Sequence, residues 1–319
     1  MQRPVTISII CPVLNEAAYV DTLVKKFLHS DGIEKEVFFL EAGSTDNTKE
    51  RLLELQKQHA NIYIVDNPQK YVSFGFNKAF PLTNGKYIAF LGAHADYPET
   101  FFSNAVKYLE SGECDAVGGP LKQLGKTDTG SAIAYCMSNK FGVGGTEFRT
   151  STQKKYVQSV AFAVYKKEVF EKTGLLDEEL LRNQDDELHY RLNAHGFKIL
   201  MVPEMQCTYY VRGSISGLFS QYFQYGNFKP LVLKKVKSGI RLRHLIPACF
   251  VAYFLSLPVT AVCLWWLVPL VVYLLGDFVF SFFNKLPFSQ KIKALLIFPV
   301  LHFSYGSGFI LGLLKNPKK

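Results

Sequence analysis

The feature that most constrains this chain is an apolar stretch near its C-terminal end. Residues 245–284 carry a single charged side chain, Asp277. A helix needs about 20 apolar residues to cross a bilayer, so this stretch predicts two spans with a turn near Trp265 and Trp266. A third apolar segment, residues 294–314, is interrupted by a histidine and glycines. The sequence leaves open whether that segment spans or lies in the interface.

The charge distribution supports a membrane location. The net charge is +9, and the segment after Glu204 holds thirteen Lys and Arg against one acid. Basic residues 229–243 precede the first predicted span, and Lys285, Lys291 and Lys293 separate the second from the third. By the positive-inside rule both clusters are cytoplasmic, so we expect a multi-pass protein of the cell membrane with a cytoplasmic N-terminal domain. Basic residues that flank apolar segments argue against a nucleic-acid partner.

The N-terminal part alternates between short apolar runs and helical patterns. The predicted strands are Thr6–Cys11, Val37–Leu40, Ile62–Val65 and Tyr87–Leu91. The predicted helices are Tyr19–Leu28, Thr48–Gln58 and Phe74–Phe80. This alternation indicates an α/β fold with a doubly wound, largely parallel sheet.

The same patterns predict the domain organisation. We expect a cytoplasmic domain over residues 1–228, a basic juxtamembrane segment over 229–244, and a membrane region of two or three hydrophobic helices over 245–319. We also expect a chain truncated after residue 237 to fold without the apolar tail.

Three polar motifs follow predicted strands. VLNE (13–16) comes after the first strand, EAGSTDNT (41–48) after the second, and GAHADYP (92–98) after the fourth. Each motif alone is also compatible with a simple turn or helix cap. Because ligands of doubly wound sheets bind beyond the carboxyl ends of the strands, the three together predict a binding site.

The segment RNQDDELHYRL (182–192) has helical spacing and an acidic start. Leu188 and Leu192 mark one apolar face, and Asn183 is suited to be the N-cap. The three adjacent acids are Asp185, Asp186 and Glu187. They either stabilise the helix N-terminus electrostatically or include a carboxylate placed to accept a proton.

Four stretches carry a family resemblance, and they are PVLNE (12–16), AGSTDNT (42–48), RNQDDELHYRL (182–192) and HFSYGSGFILGLL (302–314). FGVGGTEFR (141–149) and QYFQYG (221–226) add to it. The chain resembles family 2 glycosyltransferases of the GT-A fold, which has a doubly wound mixed sheet. Its tail resembles the membrane-anchored succinoglycan-biosynthesis type. The resemblance covers nearly the whole chain.

The resemblance implies inverting transfer of a sugar from a nucleotide-diphosphate donor, a UDP-sugar being the expected one. The implied acceptor is a lipid-linked glycan in exopolysaccharide or cell-surface polysaccharide biosynthesis, and the implied cofactor is a divalent metal, Mn2+ or Mg2+. Glu41 takes the position that contacts the nucleotide. The donor-binding residues implied in this way are Pro12, Asn15, Glu16, Glu41, Ser44, Asp46, Gly92 and Ala93.

The resemblance also assigns the reacting side of the site. Asp185 takes the position of the base that activates the acceptor. The residues implied on the acceptor or leaving-group side are Asp186, Glu187, Gln221, Gln224 and Tyr225.

The sequence departs from the family pattern at several positions. Glu41 stands where Asp is usual, Gln184 replaces an acid, and Gln224 replaces an Arg. Gly92 removes the first carboxylate of the metal-binding D-x-D motif, so the predicted metal ligands are His94 and Asp96.

Two alternatives to this function stay open. The enzyme could transfer the sugar directly onto a polyprenyl phosphate. The chain could instead be a catalytically weakened scaffold that binds a nucleotide sugar within a polysaccharide assembly complex, which the residues Gly92 and Gln224 favour.

Overall fold

The chain divides into two compact units. The computed structural model describes residues 6–29, 31–236 and 241–316. One unit comprises the described residues up to Leu121 together with Ser151–Thr208, and the other comprises Lys122–Thr150 together with the described residues from Tyr209 onward. Residues 122–150, which the sequence assigned to the N-terminal domain, therefore group with the C-terminal helices. The domain limits at 228 and 244 stay a prediction.

The described residues form two β-sheets. The strands are β1 (Ile7–Val13), β2 (Lys35–Glu41), β3 (Ile62–Asp66), β4 (Tyr87–Phe90), β5 (Ala95–Asp96), β6 (Ala116–Gly119), β7 (Leu121–Leu124), β8 (Lys155–Tyr156), β9 (Ala161–Lys166), β10 (Ile199–Met201) and β11 (Cys207–Tyr210). The larger sheet has the order β3-β2-β1-β4-β9-β6-β10-β8, and the smaller one has the order β5-β11-β7.

Helices connect these strands and make up most of the C-terminal part. They are α1 (Val20–His29), α2 (Thr48–Gln58), α3 (Val72–Ala79), α4 (Phe101–Glu110), α5 (Asp128–Ser138), α6 (Lys140–Val143), α7 (Glu147–Thr150), α8 (Lys167–Thr173), α9 (Gln184–Ala194), α10 (Ile215–Val236), α11 (Leu242–Leu255), α12 (Val268–Phe282) and α13 (Phe288–Gly312).

The large sheet of the first unit is mixed. Strand β1 pairs in parallel with β2 on one side and with β4 on the other, whereas β9 runs antiparallel to both β4 and β6. Every residue of β2 is buried, as expected for a strand covered on both faces by crossover helices. The predicted α/β fold with a doubly wound mixed sheet is confirmed.

The predicted elements of this unit match closely. The helix predicted over Thr48–Gln58 has those bounds, and its Leu52 and Leu55 are buried. The four predicted strands and the other two helices are displaced by no more than two residues at most ends. Apolar periodicity was sufficient here because each element buries one continuous face or strand.

The second unit has its own apolar core. It joins α5 with α10 and α13, and its buried members are Ala132, Ile133, Ala134, Cys136, Met137, Val211, Leu218, Tyr222, Ala294, Ile297, Phe298 and Leu301. Helices α10 and α13 approach very closely. A Cβ atom added at Gly226 would lie 2.1 Å from the carbonyl oxygen of Tyr305, and one added at Gly308 would lie 2.1 Å from that of Phe223. Glycine is therefore required for this packing.

The candidate membrane spans differ from the expected ones. The segment predicted as the first span forms α11, which has 14 residues and a length of about 21 Å, too short for a hydrocarbon core of about 30 Å. In the described chain, two helical segments are long and apolar enough to cross a membrane, Leu264–Phe282 and Phe288–Gly312. Trp265 and Trp266, near which the sequence predicted a turn, lie in a 3-10 helix over Leu264–Leu267.

The two candidate spans have different surroundings. Within the apolar windows, 11% of the first segment is buried by the protein, compared with 44% of the second. The second is α13, which supplies Ala294, Ile297, Phe298 and Leu301 to the core of its unit. A chain truncated after residue 237 would lack these residues, which pack against α5 and α10, and the expectation that such a chain folds stays a prediction.

The close packing of α10 on α13 gives a stability prediction. We expect Gly308→Ala to lower the unfolding temperature of the full-length protein in detergent, with a loss of about 1–3 kcal/mol, because the new methyl group overlaps the α10 backbone. The matched control is Gly276→Ala on α12, where the added Cβ first meets the Phe141 ring at 3.4 Å. Equal unfolding temperatures for the two variants would contradict the prediction.

Candidate active site

The loops that follow β1 and β2 are joined by hydrogen bonds through Asn15. The backbone N–H of Asn15 donates to Oγ of Ser44 at 3.1 Å, and the backbone N–H of Thr45 donates to Oδ1 of Asn15 at 2.8 Å. Asn15 has a φ of 58°, a left-handed conformation that asparagine tolerates better than most residues. The sequence predicted Asn15 and Ser44 as donor-binding residues, and the structure brings them together.

A second set of bonds joins the same two loops. The hydroxyl Oγ1 of Thr48 accepts from the backbone N–H of Glu16 at 2.7 Å, and Oδ2 of Asp46 accepts from the backbone N–H of Ala17 at 3.2 Å. The Thr48 hydroxyl in turn donates to Asp46. These bonds, above all the one from Thr48, hold the pKa of Asp46 below its ordinary value. Asp46 therefore braces the loop as a charged acceptor.

Glu41 is a buried carboxylate at the end of β2. Its residue surface is 2% exposed, and its two oxygens accept from the backbone N–H groups of Gly43 at 3.1 Å and Ser44 at 2.6 Å. Gly43 has a φ of 76°, which brings its N–H back towards this side chain. Pro12 lies beside this strand end, opposite Leu40 in the β1–β2 register. The first two predicted motifs thus meet at one edge of the sheet.

The third motif contains a tight turn at Gly92. The backbone N–H of Gly92 donates to the Tyr97 hydroxyl at 2.9 Å, and that hydroxyl donates to the carbonyl oxygen of Gly92 at 2.8 Å. A Cβ atom at position 92 would lie 2.9 Å from the ring of Phe162, a residue with an unusual φ of 52°. Sequence reasoning did not identify Tyr97 or Phe162 as site residues, because both act through contacts that periodicity does not report.

His94 reaches the first loop. Its Nε2 lies 2.7 Å from Oε1 of Glu16, and its side chain is 59% exposed whereas that of Glu16 is 3% exposed. The second oxygen, Oε2 of Glu16, is buried and has no hydrogen-bond partner among the described residues. The pair therefore combines an imidazole with a carboxylate that has an oxygen to spare. These two ligand types suit a divalent cation.

The other predicted metal ligand is engaged elsewhere. The carboxylate of Asp96 forms an ion pair with Lys26. Ala93 is buried beside His94 and contributes no ligand atom of its own side chain. Within the described ranges, no group of three or more His, Cys, Asp and Glu side chains is arranged to hold a metal. The structure thus brings His94 together with Glu16.

Helix α9 presents the candidate base at its N-terminus. Asp185 is exposed in the first turn, while Leu188 and Leu192 are buried as predicted. Asn183 is the N-cap residue, but its φ is 62° and its side chain makes no capping hydrogen bond within the described structure. The predicted capping role of Asn183 is therefore correct in position and wrong in mechanism.

Glu187 forms an ion pair with Arg191 of the same helix. Its carboxylate receives two bonds from Arg191, at 2.6 and 2.9 Å, and the same guanidinium donates to the carbonyl oxygens of Gly174 and Leu175. Such a bidentate pair is geometrically restrictive, so Glu187 fixes the helix to the preceding loop. Asp186 is only partly buried beside it. Asp185 is the most exposed of the three acids.

One turn after Asp185, His189 anchors α9 to the sheet. Its Nε2 lies 2.8 Å from the hydroxyl of Tyr165 on β9, and its Nδ1 lies 3.1 Å from Oγ of Ser159. Burial lowers the pKa of His189 to about 4. The imidazole is therefore neutral at physiological pH and holds the helix without a charge.

The remaining predicted residues lie on α10, in the second unit. Nε2 of Gln221 donates to the hydroxyls of Tyr209 and Tyr225, each at 3.2 Å, and its Oε1 is buried without a partner in the described part of the chain. Gln224 lies on the same helix and is partly buried. Gln221 and Tyr225 therefore belong to one polar cluster of α10.

The chain is similar to known proteins over much of its length. Residues 8–174, more than half of the chain, match Glycosyl transferase family 2. The chain therefore belongs to this family. It is a glycosyltransferase of polysaccharide or glycan biosynthesis.

Two relatives carry informative names. The chain is 29% identical over 242 residues to "Succinoglycan biosynthesis protein ExoA" of Rhizobium meliloti, which covers 75% of this chain and 73% of that protein. It is 26% identical over 325 residues to "Dolichyl N-acetyl-alpha-D-glucosaminyl phosphate 3-beta-D-2,3-diacetamido-2,3-dideoxy-beta-D-glucuronosyltransferase" of Methanococcus voltae, covering 97% of this chain and 98% of that one. The resemblance to family 2 enzymes of the succinoglycan type is confirmed.

A solved structure has a similar fold. The mannosyltransferase PcManGT from Pyrobaculum calidifontis, solved with GDP-Man and Mn2+, gives a TM-score of 0.62 at 16% identity and covers 98% of this chain and 88% of its own. At this identity the comparison concerns the fold, and it agrees with the predicted GT-A arrangement.

The environment of His189 gives a pH prediction. Its pKa is about 4 in the folded protein and about 6.5 in an unfolded chain, so the unfolded chain binds the extra proton between these values. We expect the free energy of unfolding to fall as pH decreases from 6.5 to 4, by up to about 1.4 kcal/mol per pH unit from this group.

The measurement is the unfolding temperature across this range for the wild type and for His189→Gln. The variant should show a shallower decline, while His195→Gln, which changes an exposed histidine just after the same helix, should follow the wild type. Parallel curves for wild type and His189→Gln would refute the assignment.

Proposed function

We propose that this chain is an inverting glycosyltransferase that moves a sugar from a nucleoside-diphosphate donor to a lipid-linked glycan acceptor, in exopolysaccharide or cell-surface polysaccharide biosynthesis. The observation that carries the proposal is the pair of interlocked loops at the carboxyl ends of β1 and β2. Doubly wound sheets bind their ligands at this edge. The two named relatives support a glycan product and an acceptor attached to a lipid phosphate.

The loops provide a rigid donor pocket in this proposal. Asn15 and Asp46 hold the two loops in register, so the pocket needs little rearrangement when a nucleotide binds. Glu41, whose oxygens are oriented by its own loop, accepts a hydrogen bond from the nucleotide base. A UDP-sugar is the proposed donor, with a GDP-sugar as the competing one.

Asp185 performs the proton transfer in this proposal. Its carboxylate accepts the proton of the acceptor hydroxyl while the hydroxyl oxygen forms a bond to the anomeric carbon from the face opposite the leaving group. The bond from that carbon to the phosphate oxygen breaks, and the nucleoside diphosphate leaves with the electron pair. The positive end of the α9 dipole favours the ionised form of a first-turn acid, which a general base requires.

A divalent cation, Mn2+ or Mg2+, fits the residues at this edge. When bound, it would neutralise negative charge that develops on the leaving diphosphate. His94 is its proposed ligand, because its Nε2 lies beside the carboxylate of Glu16 in the loop after β1.

The membrane helices place the enzyme near a lipid-linked acceptor in this proposal. The two candidate spans support a multi-pass protein of the cell membrane. The basic residues of the sequence around 229–243 favour a cytoplasmic catalytic unit, because each Lys or Arg near an anionic leaflet adds about 1 kcal/mol of attraction.

One observation favours a second candidate function. The Phe162 ring fills the space that a side chain at position 92 would need, so a metal-binding carboxylate is absent from its usual place. A catalytically weakened scaffold that binds a nucleotide sugar would show this feature. Direct transfer onto a polyprenyl phosphate is a variant of the leading proposal, in which the acceptor oxygen belongs to a phosphate and needs no base.

The role of Asp185 gives a kinetic prediction. General-base catalysis contributes about 10²–10⁴-fold, so Asp185→Asn should lower turnover at least about a hundredfold. Nucleotide binding and unfolding temperature should stay close to wild type, because this side chain is exposed. Asp186→Asn is the matched control on the neighbouring residue and should retain most of the turnover. A normal turnover for Asp185→Asn would contradict the base assignment and point to a phosphate acceptor.

The choice between enzyme and scaffold gives a ligand prediction. A ligand that binds only the folded protein raises its unfolding temperature, so a panel of UDP- and GDP-sugars should identify one donor that stabilises the full-length protein. Incubation of that donor with membranes containing lipid-linked acceptors should then release the nucleoside diphosphate. Stabilisation without release at any Mn2+ or Mg2+ concentration would instead favour the scaffold.

A further inference from the structure

We infer that Glu16 supplies the carboxylate ligand that position 92 lacks, so that one divalent cation is held between the carboxylate of Glu16 and Nε2 of His94. This inference rests on the proposed function, and it concerns how this chain binds the cation of its donor site. The two side chains come from the loops after β1 and β4, which are adjacent parallel strands. The pairing of these strands therefore brings the two side chains close together, with Nε2 of His94 at 2.7 Å from Oε1 of Glu16.

Position 92 cannot regain a carboxylate without rearrangement. A Cβ atom there would lie 2.9 Å from Cε1 of Phe162 and 3.5 Å from its Cζ, and the Gly92 backbone is held on both its N–H and its carbonyl by the Tyr97 hydroxyl. The aromatic ring of Phe162 also packs edge-on against Tyr97. The turn is thus closed around a glycine, and a second protein ligand for the cation must come from elsewhere.

The side chain of Glu16 is buried and has a carboxylate oxygen available to a cation. It is 3% exposed, and its Oε2 lacks a hydrogen-bond partner among the described residues. A buried carboxylate oxygen without a partner is unfavourable unless a cation or a hydrogen-bond donor compensates it. The backbone of Glu16 is fixed by its bond to Thr48, so the side chain cannot simply turn away with its loop.

The contact to His94 does not explain why the second oxygen of Glu16 is buried without a partner in the described structure. A simple histidine–carboxylate pair uses Oε1 and leaves Oε2 unsatisfied. Two ligand atoms at about 2.1 Å from an octahedral cation, in neighbouring positions, lie about 3 Å apart. The 2.7 Å between Oε1 of Glu16 and Nε2 of His94 is within a few tenths of an ångström of that value, so a small side-chain rotation would let the carboxylate and the imidazole share one cation. Water and the donor diphosphate would occupy the remaining positions.

Asp96 is the competing ligand, and its contacts argue against it. Its carboxylate is paired with Lys26, whose charge would have to be displaced before a cation could bind. Glu16 faces the imidazole and not an ammonium group, so it needs no such exchange.

The test measures Mn2+ binding directly on the full-length protein in detergent with UDP present. The free Mn2+ signal in electron paramagnetic resonance gives the dissociation constant. We expect Glu16→Gln and His94→Ala each to raise it at least about tenfold, since even neighbours of metal ligands typically contribute 10–100-fold. The matched control is Glu99→Gln, which changes an exposed acid of the same loop and should stay within about twofold of wild type.

A second readout does not depend on substitution of Glu16. Pulsed electron paramagnetic resonance of the wild-type Mn2+ complex should show coupling to an imidazole nitrogen that His94→Ala removes. Protein labelled with 13C-glutamate should add a carboxylate carbon coupling. Absence of this carbon coupling would overturn the inference even if Glu16→Gln fails to fold.

The outcomes also separate this inference from the proposed function. Unchanged Mn2+ affinity in Glu16→Gln, or loss of Mn2+ binding in Asp96→Asn with Glu16→Gln unaffected, would overturn the Glu16 site. Absence of sugar transfer from every nucleotide sugar, with the Mn2+ results as expected, would count against the proposed function and leave the metal site standing.

Discussion

The parallel pairing of β1 with β2 and with β4 is the constraint on which the proposed donor site depends. Parallel neighbours end at the same edge of a sheet, so loops far apart in sequence are brought side by side. The hydrogen bonds of Asn15 and Thr48 then hold the loops after β1 and β2 against each other. The short distance between Glu16 and His94 follows from the same pairing. Disruption of β1 would therefore separate the loops that follow β1, β2 and β4.

The sequence predicted the parts of the structure that depend on local pattern. Strand ends, helix α2 and the position of Asp185 at a helix N-terminus all follow from periodicity and capping signals, which act within about ten residues. Phe162 and Tyr97 were missed because their effect on Gly92 is a matter of side-chain volume across the fold. Glu16 was expected to line the pocket, but its relation to His94 needed the spatial register of two strands.

The apolar tail shows a similar limit. Hydropathy identified the segment but could not distinguish a helix that faces lipid from one that also faces protein, because both are apolar all round. The glycines that interrupt α13, which weakened it as a predicted span, are positions where neighbouring helices approach its backbone: Gly306 faces Pro247 of α11, and Gly308 faces Phe223 of α10. Small residues serve helix packing inside and outside membranes alike, so they are ambiguous in a sequence and clear in a structure.

The Phe162 ring has a consequence for how this site could change. A single substitution of Gly92 by Asp places a Cβ atom 2.9 Å from Cε1 of Phe162, so the ring has to shift to make room for it. A smaller residue at 162 must come first or together with it, and that change alone would leave a void beside Tyr97. The side chains tolerated at positions 92 and 162 are therefore expected to depend on each other. An aspartate at position 92 would therefore be accommodated more readily together with a smaller side chain at position 162 than by itself.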